Sequence, residues 1–261
     1  MGSSDNCELV PESRFVWRAR RPGHTHRLIC FPHAGAGATA FAEWANLLPE
    51  DIELVAVQLP GRQNRIGEEP FGDVARLTTA LRHALRPVLE GRYAFFGHSG
   101  GAIAAYELAR ALAATGQGGP EHLFVSAQPA PDLPPVRVLH TLPDDAFRAE
   151  LLALGGIDPE IAAMPEVMEM LLGLLRTDFR LWEGYRPTSP GAVDCPVTAL
   201  SPDADPRAPR DAVRGWQVFT TAGFRLRTFS GGHFYLYRSA ADVVAAIRQG
   251  LLGPTTDRRV A

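Results

Sequence analysis

Tyr93-Ala94-Phe95-Phe96-Gly97-His98-Ser99-Gly100-Gly101-Ala102-Ile103-Ala104-Ala105-Tyr106 is the stretch from which the rest of the chain can be read. Its first four residues are apolar and stop at a glycine, as a buried strand does, and from Ala102 onward small and apolar residues continue in a helical pattern. Gly97-His98-Ser99-Gly100-Gly101 therefore sits at a strand-to-helix turn. A G-x-S-x-G sequence in that place makes a tight, strained turn that only small residues allow. It leaves the serine Oγ exposed above the sheet and the following backbone N–H free to face an oxyanion. The bare pattern would arise by chance in roughly one chain in twelve of this glycine and serine content, so the flanking strand and helix carry the signal.

Outward from this turn the same alternation recurs. Apolar runs at 27–31, 53–57, 93–96, 122–126, 197–200 and 224–229 are bounded by Gly, Pro or polar residues and read as strands. Helical patterns occupy 40–48, 73–89, 101–114, 209–219 and 239–252. Such alternation predicts an α/β fold, a mostly parallel sheet with helices on both faces. In the last helix Ser239 is placed as N-cap, Val243, Val244, Ile247 and Leu251 form the buried stripe, and Gly253-Pro254 stops it.

One stretch breaks the pattern. From 129 to 190 there is no strand signal, only a Pro-rich entry and helix patterns over 144–154, stopped by Gly155-Gly156, and over 166–185. The expected organisation is a core of 14–128 and 191–252, a helical insertion of 129–190, and flexible ends at 1–13 and 253–261. The insertion reads either as a subdomain packed on the core or as a mobile lid over an acyl pocket. In the second reading Met168, Leu171, Leu172, Leu175 and Phe179 are the lid residues, since Met and Leu adapt to variable apolar ligands.

The 261 residues carry 26 Lys+Arg against 29 Asp+Glu, a net charge of −3 that argues against a nucleic-acid binder. No apolar run approaches the roughly 18 residues of a membrane span. The N-terminal residues lack the order of a signal peptide, which points to the cytoplasm. Cys7, Cys30 and Cys195 are widely spaced and form no CxxC pair, so neither a disulfide framework nor a zinc site is expected. Neither phosphate-binding glycine motif occurs, and the chemistry sketched below needs no metal or organic cofactor. Nothing in the sequence demands more than a monomer.

A serine nucleophile needs a base. Phe229-Ser230-Gly231-Gly232-His233-Phe234 puts His233 in a loop between the last strand and the last helix, from which it can reach Ser99; His33 is a weaker candidate. A carboxylate that orients the imidazole should follow the preceding strand, in the chain order Ser, acid, His. Ser201-Pro202-Asp203-Ala204-Asp205-Pro206 supplies two, Asp205 and Asp203. The loop Phe31-Pro32-His33-Ala34-Gly35-Ala36-Gly37 follows the first of the six strands, so the N–H groups of Ala34 and Gly100 are the expected oxyanion hole. Losing one such donor costs about 3 kcal/mol of transition-state stabilisation.

Five segments together resemble the type II thioesterases of polyketide and nonribosomal peptide pathways: Phe31-Pro32-His33-Ala34-Gly35-Ala36, Gln58-Leu59-Pro60-Gly61-Arg62, Gly97-His98-Ser99, Leu175-Arg176-Thr177-Asp178-Phe179 and Gly231-Gly232-His233-Phe234. The resemblance runs from about residue 14 to 252, and its first, second and fourth segments are not general features of α/β-hydrolases. It implies the α/β-hydrolase fold and hydrolysis of acyl thioesters from the phosphopantetheine arm of acyl or peptidyl carrier proteins, removing stalled or wrongly loaded groups. It also favours Asp205 over Asp203, because this superfamily places the acid three residues after a small turn residue, here Pro202. Two departures stand out. Gly100 replaces a frequent Met, which predicts a wider pocket mouth, and Pro202-Asp203 replaces a Gly-Asp turn. Arg62, Arg65 and Arg186 are candidate basic residues for an acidic carrier, with solvated surface as the plainer reading. A carboxylesterase or lipase-like hydrolase would use the same triad and is the alternative. The presence of both Ser and His argues against a non-catalytic binding scaffold.

Overall fold

Apolar runs flanked by helices on both sides bury both faces, and their backbone polar groups can then be satisfied only by neighbouring strands. The structure is a computed structural model and describes residues 7–187 and 191–253. In chain order its strands are β1 (Val10–Pro11), β2 (Val16–Ala19), β3 (His26–Phe31), β4 (Ile52–Val57), β5 (Tyr93–His98), β6 (Leu123–Ser126), β7 (Val197–Pro202) and β8 (Phe224–Phe229). They form one sheet in the order β1-β2-β4-β3-β5-β6-β7-β8. β1 and β2 pair antiparallel, as do β2 and β4, and every other pairing is parallel.

The six expected strands all form, and β1 and β2 add an antiparallel edge that the apolar runs do not announce. In β2 Val16 and Ala19 are buried, whereas Trp17 and Arg18 between them are half-buried and Arg18 is held by Glu53 at 2.7 Å. Residues 7–13 depart from the expected flexible end, because Leu9 is buried and Val10–Pro11 pairs with Trp17 and Arg18. The remainder of the two expected flexible ends, 1–6 and 254–261, lies outside the described residues.

The helices are α1 (Trp44–Leu47), α2 (Val74–Ala84), α3 (Gly100–Ala114), α4 (Asp144–Leu154), α5 (Pro159–Ala162), α6 (Pro165–Glu183), α7 (Arg210–Arg214), α8 (Tyr235–Arg238) and α9 (Ala240–Leu252). They cover both sides of the sheet, with α3 on β5 and against α2, and α1 against α9. Several are shorter than their sequence patterns. The pattern at 73–89 gives α2, capped by Asp73 accepting from Arg76 N–H at 2.8 Å, and then a separate 3-10 turn at Arg86–Val88, where Pro87 has no N–H to continue an α-helix. Ser239 does stand at the start of α9, yet its side chain makes no capping bond. Its own N–H is already bonded to Tyr235 O, so α8 feeds straight into α9.

Between β6 and β7 run α4, α5 and α6. This segment has an apolar cluster of its own, Leu139, Phe147, Leu151 and Leu175. Leu181 and Trp182, near the end of α6, pack instead with the main core between sheet and helices. One helix thus spans both clusters. Gly155 ends α4 with φ +80°, the left-handed conformation expected of it.

Candidate active site

Ser99 stands where β5 gives way to α3, with φ +53° and ψ −130°, a backbone conformation that a residue with a side chain seldom adopts. It is held there by its N–H on Ser126 O at 2.8 Å, one strand over, and by Ala102 N–H on its own carbonyl at 2.8 Å. The first and last glycines of the pentapeptide are required by contact. A Cβ on Gly97 would collide with Gly101 and Ala102 backbone atoms, and one on Gly101 with the Phe31 carbonyl.

His233 lies in the loop between β8 and α8, and its Nδ1 is 2.6 Å from Asp205 Oδ2. Both are buried. A carboxylate at that distance holds the proton on Nδ1 and leaves Nε2 as the free acceptor. The other oxygen of Asp205 accepts from Arg207 N–H at 2.9 Å. Asp203, the second candidate acid, faces elsewhere: it accepts from Gly231 N–H at 2.8 Å and Ser230 Oγ at 3.1 Å, bracing the loop that carries His233. No hydrogen bond joins His233 to Ser99 in this arrangement, although both residues line the same two cavities.

Those cavities meet at Ser99, His233, Ala34 and Phe179. One is a wide chamber of about 430 Å³, bounded by the loop after β3 and by residues of α4, α5 and α6 such as Leu151, Ile161, Leu171 and Leu175. The other is a narrow cleft of about 70 Å³ between the Pro-rich run after β6 and Trp182 and Arg186. Of the five expected lid residues, Leu171, Leu175 and Phe179 line the chamber. Met168 is buried and Leu172 packs in the cluster of the insertion, and neither lines either of these two cavities. The five residues share one face of α6 but are spread along three turns of it, and part of that stripe packs inside the insertion instead of against the chamber.

Among the described residues neither Ala34 N–H nor Gly100 N–H has an acceptor, so both amides are free at the place expected of an oxyanion hole. Gly35 beside them has φ +76°. The expected widening at Gly100 is not found. The Trp182 indole lies against Gly100 where a side chain would begin, and any Cβ there would collide with it. His33, the weaker candidate base, is engaged at both nitrogens, with Ala34 O at 2.9 Å and Tyr237 Oη at 2.7 Å, and burial lowers its pKa to about 4. His98 is likewise held neutral by burial, its Nδ1 2.9 Å from Ser126 Oγ.

Comparison with known proteins agrees with this geometry. The thioesterase domain family matches residues 26–251. The chain belongs to the thioesterase family. It is 42% identical over 232 residues to thioesterase PikA5 of Streptomyces venezuelae, covering 88% of this chain and 83% of that one. Among solved structures, RedJ, a thioesterase from the prodiginine biosynthetic pathway of Streptomyces coelicolor, superposes with a TM-score of 0.84 at 38% identity, covering 89% of this chain and 94% of RedJ. The type II thioesterase BorB from the borrelidin biosynthetic cluster gives the same TM-score at 36% identity, over 93% of this chain and 99% of BorB. This thioesterase is therefore a thioester-cleaving enzyme of the α/β-hydrolase fold, and one of the type II group of polyketide and nonribosomal peptide pathways.

Within the thioesterase the candidate docking arginines fare differently from one another. Arg62 is buried and paired with Asp178 at 2.7 Å. Arg65 is buried with its guanidinium 4.2 Å from the Phe15 ring and paired with Glu68. Neither is surface, solvated or otherwise. Arg186 remains exposed, at the narrow cleft. No helix among the described residues is long and apolar enough to cross a membrane.

Proposed function

We propose that the enzyme is a cytoplasmic serine thioesterase that takes acyl groups from the phosphopantetheine arm of acyl or peptidyl carrier proteins, with Ser99 as nucleophile, His233 as base and Asp205 as the acid. One observation carries the assignment: a serine in strained backbone at the head of α3 shares its cavities with an imidazole whose far nitrogen is 2.6 Å from a buried carboxylate. Ser99 Oγ attacks the thioester carbon and gives its proton to His233 Nε2. Ala34 and Gly100 N–H groups hold the oxyanion. The C–S bond breaks, His233 returns the proton to the departing sulfur, and an acyl-Ser99 ester remains. Water repeats the sequence and releases the acid, while Asp205 stays ionised and stabilises the imidazolium.

The two cavities suit the two arms of such a substrate. The chamber of about 430 Å³ is walled in good part by apolar side chains and suits the acyl chain, and the narrow cleft suits an unbranched pantetheine arm. Residues 129–190 act as the lid, with α4 and α5 as its adjustable part.

The test is hydrolysis of an acetyl- or propionyl-loaded carrier protein, read by mass spectrometry of the pantetheine arm, beside Ser99→Ala and a nitrophenyl ester. Carrier turnover that vanishes in Ser99→Ala is the expected result. Ester turnover without carrier turnover would put a general carboxylesterase in its place.

A further inference from the structure

α6 carries two buried carboxylates, each of which reaches a loop of the candidate site or a residue bonded to one. Asp178, in the middle of α6, is buried, and both its carboxylate oxygens are used. Oδ2 accepts from Gly35 N–H at 2.7 Å and from Arg62 Nη1 at 2.7 Å, and Oδ1 accepts from Arg62 Nη2 at 3.0 Å. Arg62 in turn donates through Nε to Pro60 O at 3.0 Å. Its carbonyl accepts from Gln58 Nε2 at 3.0 Å, and Gln58 Oε1 accepts from Ala38 N–H at 2.7 Å. Leu175, one turn before Asp178, closes the same contact, since a Cβ on Gly35 would come within 2.6 Å of Leu175 Cδ2. A second buried carboxylate of α6, Glu183, accepts from Arg207 at 3.0 Å, and the Arg207 backbone N–H is bonded to Asp205.

We propose that Asp178 is a positioning residue for thioester hydrolysis: through Gly35 N–H it fixes the peptide next to the Ala34 oxyanion donor, so the hole is complete only while α6 is seated on the core. This rests on the assignment of Ser99 and Ala34 above. A buried pair of this kind adds little net stability over well-packed apolar residues. Its geometric effect, a donor held where charge develops, is worth far more to the rate. The oxyanion loop has no sheet ladder to hold it, and Asp178 supplies the constraint from the opposite side.

Asp178→Asn keeps the shape and places an NH2 group either at the Oδ2 position, losing the Gly35 N–H and Arg62 Nη1 contacts, or at the Oδ1 position, losing the Arg62 Nη2 contact and leaving Gly35 N–H on a neutral oxygen, so the charged hold on Gly35 is lost in either orientation. With a short acyl-pantetheine thioester, kcat is expected to fall about a hundredfold and KM to change less than threefold, the size of losing one oxyanion donor. Affinity for an acyl trifluoromethyl ketone, whose adduct with Ser99 carries the oxyanion, falls in parallel with kcat/KM. Loss of folded protein alone would leave that affinity untouched. Arg62→Lys, which keeps the charge and the Gly35 bond, is the milder variant and is expected to show the same split at about a tenth of the size. Wild-type ketone affinity in folded Asp178→Asn, or a raised KM at unchanged kcat, overturns the proposal. Ser99→Ala separates the layers: an active Ser99→Ala enzyme overturns the assignment beneath it, whereas an inactive one beside a normal Asp178→Asn enzyme overturns the positioning role alone.

Discussion

The loops that hold the proposed triad and the inserted helices beside them are stabilised in different ways. Ser99, Asp205 and His233 sit at or just beyond the ends of β5, β7 and β8, parallel strands whose backbones are fixed by hydrogen bonds on both sides or, for β8, on one. The inserted helices touch that core through polar ties and the Leu181 and Trp182 end of α6, and keep a small apolar cluster of their own. α5 has no buried residue, and Ile161, Met164 and Met170 are among the exposed large apolar side chains. Chemistry that tolerates no misplacement is built on the rigid part, and shape that must adapt to the acyl group is built on the part with the fewest constraints.

A substitution in the first region should therefore slow every substrate alike, and one in the second should alter only the preference among substrates. The largest effect is expected at Asp205. Asp205→Asn removes the acceptor for Nδ1–H and favours the wrong tautomer, lowering kcat about 10⁴-fold for short and long acyl chains equally. Asp203→Ala disturbs only the brace on Ser230 and Gly231 and is expected to cost less than tenfold. Steady-state rates on two chain lengths decide this, and a greater loss at Asp203 would reverse the assignment.

At the boundary between the regions, Gly100→Met drives a side chain into the Trp182 indole, an overpacking worth about 1–3 kcal/mol. Thermal melting and kcat/KM should both fall. In Gly100→Met/Trp182→Ala the space is restored and most of the loss returns, so the double-mutant cycle shows strong coupling. Additive losses would mean that the two residues do not share this volume.

The smallest effect is expected inside the chamber. Leu171→Ala enlarges it by a few methylenes and should raise preference for longer over shorter acyl groups by about tenfold, the usual scale for apolar discrimination, with acetyl turnover unchanged. An equal loss on all chain lengths would erase the contrast between the two regions.

The legibility of each region follows from the same physics. Doubly buried strands leave apolar runs, and the strained turn at Ser99 leaves glycines that no side chain can replace, so the parallel strands and the elbow are visible along the chain. β2 is not, because it is only four residues long, lies one strand in from the sheet edge and has a charged residue in its middle. Two acids lie within three residues of a strand end; family spacing favours Asp205, and the 2.6 Å contact to His233 is what the structure adds to that preference. Arg62 and Asp178 are visible as motif residues, but nothing local says that two charged side chains 116 positions apart are buried against each other. Trp182 over Gly100 is invisible for the same reason.

The sequence by itself determines the α/β alternation, the place of the inserted helices, the serine turn and the loop histidine, since each is set by residues near one another in the chain. The tertiary structure alone decides which acid meets His233, that Trp182 fills the space at Gly100, and that α6 is tied to the oxyanion loop through Asp178. These depend on how elements far apart in sequence are brought face to face, and burial, which gives such contacts their strength, is a property of the packed whole.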